Sequence, residues 1–118
     1  MEPEGFFAGH PVALAVYDRV RSVLEALGPV EMRTSKSQVA FRRARGFACL
    51  WMPGQYLARP TAELVLSIAL GRRDESPRFK EIVHPSPRHW MHHLEVDDPS
   101  IIDDEVASWL QEAAERSS

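Results

Sequence analysis

The sequence is poor in several things that would assign it to a functional class at once. It holds a single cysteine, Cys49, so neither an intramolecular disulfide nor a paired-cysteine zinc site can be assembled. No apolar run approaches the ~20 residues that a membrane-spanning helix requires. The acidic start Glu2-Pro3-Glu4 lacks the basic opening of a secretory signal. A cytoplasmic protein without a membrane role is therefore expected. Phosphate-loop, dinucleotide-fingerprint, nucleophile-elbow and HExxH patterns are all missing. No cofactor is expected.

What is present is an ordinary globular composition. The 118 residues are 44% apolar and 26% charged, enough to fold as one α+β domain spanning residues 1–118. The net charge of −3 argues against a dedicated nucleic-acid binder, but its distribution is uneven. Residues 1–30 sum to −2, residues 31–96 to +5 and residues 97–118 to −6. The ends read acidic and the middle basic.

Val16, Val20, Val23, Leu24 and Leu27 recur at helical spacing after Pro11, and Gly28-Pro29 ends the helix. Strands are expected at Val30–Arg33, Val39–Arg42, Phe47–Met52, Leu64–Leu70 and Trp90–Val96, with Arg43 to Gly46 supplying a hairpin turn. Leu64–Leu70 is apolar on both faces, so a loop or a second chain should cover the second one, and a homodimer is one way to do so. Gly71–His84 reads as a charged connection with a short piece lying on the body. Pro85 and Pro87 bracket a turn. Ser100 to Asp103 resembles a capping box before a second helix marked by Ile102, Val106, Trp109, Leu110 and Ala113. The helix, strands, helix order predicts a central antiparallel sheet of four or five strands with the N- and C-terminal helices on one side.

Two clusters bear on chemistry. Arg33, Lys36, Arg42, Arg43 and Arg45 lie in thirteen residues without one acid, suited to a phosphate or carboxylate or simply to guarding a sheet edge. Arg88-His89-Trp90-Met91-His92-His93 brings histidines near a tryptophan. His92 and His93 fall on opposite strand faces and cannot chelate one ion together, so no metal site is expected. Ser35 and Lys36 likewise point apart and make a poor nucleophile and base. Combined, Lys36, Arg43, Arg88, Trp90 and His92 define the expected ligand site, an anion pocket with an aromatic wall. The bland alternative puts Trp90 in the core under Arg88, with His92 hydrogen-bonded to a neighbouring strand or loop.

Gly9-His10-Pro11, Thr34 to Arg43, Gly46-Phe47-Ala48, Arg88 to His93 and Asp103-Asp104-Glu105-Val106 together resemble a bacterial family catalogued only as a domain of unknown function. The resemblance spans nearly the whole chain. It implies a shared α+β fold, in free-standing domains or C-terminal parts of longer proteins, some labelled predicted transport proteins. It transfers no catalytic or binding residue. The expectation is a non-enzymatic domain that binds an anionic small molecule or an acidic partner through its basic sheet region. A small enzyme using Lys36, Arg43 and Arg88 with His92 as acid or base, or a nucleic-acid module on the basic patch, are the competing readings.

Overall fold

A computed structural model describes residues 2–118. Its elements run α1 (Pro3–Phe6), α2 (Pro11–Ala26), β1 (Glu31–Thr34), β2 (Val39–Arg42), β3 (Gly46–Trp51), β4 (Leu64–Leu70), β5 (Glu81–Ser86), β6 (His89–Val96) and α3 (Asp104–Arg116). The strands form one six-stranded sheet in the order β1-β2-β3-β4-β6-β5, antiparallel at every pairing.

The sheet has one strand more than expected. The additional strand is β5, which the sequence hides because Pro85 lies inside it. Proline cannot donate to a ladder, so it is tolerated at an edge. β5 is that edge, and its register with β6 shifts between Val83 and Ser86, on either side of the proline.

Strand alternation sorts the side chains into two faces. Register pairs Phe41 with Ala48, Ala48 with Ile68, and Ile68 with His92. That face, with Leu50, Leu66, Leu70, Leu94 and Val96, forms one core with Val16, Val20 and Leu24 of α2 and Val106, Leu110 and Ala113 of α3. Both long helices therefore pack on the same side. Val23 and Leu27 complete the α2 stripe as partly buried members. Cys49, Ser67 and His93 mark the opposite face, since Cys49 pairs Ser67 and Ser67 pairs His93.

Chain ends of the helices follow local chemistry. Pro11 opens α2, and Gly28 just past its end has φ +115°, a value that a side chain would strain. α3 starts later than the Ser100 box implies. Asp103 is its N-cap, accepting from the Val106 N–H at 3.1 Å, while Asp98 caps a separate 3-10 turn at Pro99–Ile101. Ile102 is buried but precedes the helix. No helix of the described residues is long and apolar enough to cross a membrane.

The Gly71–Lys80 connection is tied across α3. Arg72 reaches Glu112 at 2.8 Å and Asp74 at 3.0 Å, and Arg78 reaches Asp103 and Glu105 at 3.1 and 2.9 Å. Asp74 also accepts from the Trp109 indole N–H at 3.0 Å. The segment closes the core over Phe79, whose ring packs at a tilt against Trp109 and His92, centroids 4.4 and 4.8 Å apart.

Candidate functional site: an arginine-rich end of the sheet

Antiparallel pairing fixes which loops share an end of the sheet. The β2–β3 turn, the C-terminus of β4 and the β5–β6 turn all fall at one end, and the last turn of α3 reaches it. Arg42 and Arg43 at the end of β2, Arg45 in the turn, Arg88 between β5 and β6, and Arg116 of α3 gather there.

Hydrogen bonds link these arginines to the backbone. Arg43 donates to the carbonyls of Leu27 and Pro29 at 3.0 and 3.3 Å and to Ser118 Oγ at 3.1 Å. Leu27 is the C-cap of α2, so the guanidinium satisfies carbonyls that the helix leaves open and sits at the negative end of its dipole. Arg45 does the same for α3, donating to the Arg116 carbonyl at 3.2 Å. Arg116 in turn donates to the Arg88 carbonyl.

Among the described residues none of the five is paired with a carboxylate, in contrast to Arg21, Arg33, Arg72, Arg73 and Arg78, each of which has a Glu or Asp within 3.1 Å. Glu31, opposite Arg42 in the register, is engaged by Arg33. Each guanidinium offers five N–H donors, so even Arg43, which makes three bonds, keeps two, and the buried Nε of Arg42 has no acceptor at all among the described residues. The local field is positive. Burial lowers the basicity of His89, and the charges of Arg116 and Arg45 lower it further. A groove of about 810 Å³ runs along this end, lined by Arg42 and Arg43 with Leu27, Pro29, Val30 and Ala44, and also by Ser118 and by Glu31, whose carboxylate is held by Arg33.

The five residues singled out from sequence are not brought together. Arg43 and Arg88 share the arginine-rich end. Lys36 lies at the opposite end, in the β1–β2 turn, where its carbonyl accepts from Gln55. Trp90 is stacked by His84, centroids 3.4 Å apart, and not by Arg88. His92 is fully buried. Its Nε2 accepts from the Asp74 N–H at 2.9 Å and its Nδ1 lies 3.1 Å from the Trp90 carbonyl, which fixes a neutral ring with the proton on Nδ1. Burial lowers its pKa. The ring is part of the core, so the five residues do not converge on one pocket. Cys49 is equally inert, its thiol pushed up to about 11 by burial.

Sequence reasoning missed Arg116, because an isolated arginine in an acidic segment carries no signal until the helix brings it to the turn. It also missed the opposite sheet face. There Trp51 donates its indole N–H to Ser67 Oγ at 2.8 Å, and Ser67 Oγ lies 2.7 Å from His93 Nδ1. Ser67, a polar residue in the middle of an apolar strand, was the available signal.

A family model described as Domain of unknown function (DUF5655) matches residues 4–117. No curated protein and no solved structure matches the chain.

Proposed function

Since the chain belongs to this family, whose description assigns no activity, we propose from its geometry that it is a non-enzymatic binding domain that docks an acidic protein segment on the arginine-rich end of its sheet. The observation that carries the reading is the gathering of Arg42, Arg43, Arg45, Arg88 and Arg116 from three chain segments without one carboxylate partner among the described residues. Elsewhere the protein pairs most of its arginines, so unpaired charge concentrated at one end is a feature of that end and not of the whole surface. A partner's carboxylates would take up guanidinium donors as charge-assisted, in part bidentate, hydrogen bonds.

A peptide segment is favoured over a compact small anion by shape. The cations are spread along a rim and do not converge on one point, and the adjoining groove adds Leu27, Pro29, Val30 and Ala44, which suits apolar side chains interspersed among acids. The acidic surface of α3 would repel a nucleic acid running past the rim.

Titration of a labelled oligoglutamate peptide by fluorescence anisotropy tests the reading. Binding should weaken at least tenfold in Arg45→Glu/Arg88→Glu and be unchanged in Lys36→Glu, at the far end of the sheet. Equal loss in both variants would indicate diffuse attraction and overturn the assignment, as would tighter binding to a single-stranded oligonucleotide than to the peptide.

A further inference from the structure

The face of the sheet turned away from the helices carries a second, chemically distinct feature. A cavity of about 290 Å³ lies between β3, β4, β6 and the 52–63 loop, lined by Trp51, Leu57, Val65, Glu81, His93 and Glu95 among others. Three of these are aromatic or aliphatic walls, and the rest are polar groups from adjacent strands.

The floor is set by the Trp51, Ser67, His93 chain. An indole N–H only donates, so Ser67 Oγ accepts it, and its own proton can go to His93 Nδ1 or to the neighbouring Cys49 thiol. With the serine donating to His93, the ring carries its proton on Nε2. That N–H has no acceptor among the described residues. Burial lowers the pKa of this ring, against a smaller opposing effect of Glu81, so it is neutral at pH 7. Glu81 is the register partner of His93 on β5, lines the same cavity and forms no ion pair. On the other side Glu95 is taken up by Lys80 at 3.1 Å and by Thr61. With Lys80 and Glu95 neutralising each other, the remaining charge is the Glu81 carboxylate.

The cavity thus offers a donor on β6 beside a carboxylate acceptor on β5, next to an indole, in a site of net negative charge. We propose that it binds a single-ring planar molecule presenting a carboxamide or lactam edge. The ligand carbonyl accepts from His93 Nε2–H, its N–H donates to Glu81, and its ring packs among Trp51, Leu57 and Val65. The volume is just below the ~300–1,000 Å³ typical of drug-sized pockets, which limits the ligand to about one ring. Ser67 does not act as a nucleophile here: it is 2% exposed, and its hydroxyl orients the imidazole. This site is independent of the arginine-rich end and of opposite sign.

The test is a titration with 2-pyridone, a one-ring lactam, followed by the NMR resonance of the Trp51 indole N–H. The expected result is saturable movement at millimolar 2-pyridone. Glu81→Ala, a change at an exposed position that leaves the fold intact, should weaken it at least tenfold, and Arg45→Glu should leave it unchanged. Benzoate, of the same size but anionic, should bind at least tenfold more weakly. An unmoved indole resonance, full binding in Glu81→Ala, or benzoate binding as tightly as 2-pyridone would each overturn the proposal.

Discussion

His92 shows how one residue's environment decides between two chemistries. A histidine beside a tryptophan in a basic stretch invites an acid-base role, but here both ring nitrogens are taken by backbone groups and the ring is fully buried. His92→Leu would leave the Asp74 N–H without its acceptor, a cost of about 1–3 kcal/mol. A urea unfolding curve should show that loss with oligoglutamate binding unchanged. The same burial sets a pH dependence. His89, His92 and His93 all have pKa values below that of an unfolded histidine, about 6.5, so the unfolded chain takes up protons first as pH falls. Stability is therefore full above pH ~6.5, declines as pH drops from there to the folded-state values, and levels off below them. Urea midpoints should be lower at pH 5 than at pH 7.5, and His92→Gln should flatten the difference. Cys49 gives a third residue-scale expectation. With its thiol at about 11, thiolate is scarce at pH 8, and a thiol reagent should modify it far more slowly than the denatured chain.

At the level of elements, the helix ends explain both charge clusters that the sequence displays. The acidic run before α3 supplies its N-cap: Asp103 is held below the usual carboxylate range, chiefly by the Val106 N–H and then by Arg78. Asp103→Ala should cost roughly 0.5–2 kcal/mol by loss of the cap, read as a lower thermal midpoint, whereas Asp104→Ala, which makes no such bond, should cost less. The basic run supplies C-terminal partners, Arg43 for α2 and Arg45 for α3. Apolar periodicity made α2, β2, β3, β4, β6 and α3 legible, since each buries one regular stripe or run. β5 was not, because an edge strand buries little, as its exposed Val83, His84 and Ser86 show, and needs no such pattern. Lys36 and Arg43 could not be separated by sequence distance, since only the pairing of β1 with β2 and β2 with β3 puts them at opposite ends. Nor could the Trp51, Ser67, His93 chain be read in advance, because it depends on the register of three strands.

Over the whole molecule, the expected polarity of acidic helices against a basic sheet sharpens into something more local. The ion pairs of Arg72 and Arg78 neutralise part of the acid on α3, and five arginines without a carboxylate partner collect at a single end of the sheet. Binding there depends on charge, so oligoglutamate affinity should fall as added salt shortens the screening length below its ~10 Å at 0.1 M, while 2-pyridone binding on the opposite sheet face should be nearly indifferent to salt. The most direct measurement is a two-dimensional amide NMR map of the chain with and without oligoglutamate. The account predicts that shifts concentrate at residues 42–46, 86–89 and 114–118. Shifts concentrated instead on the exposed surfaces of α2 and α3, or on the 52–63 loop, would contradict it.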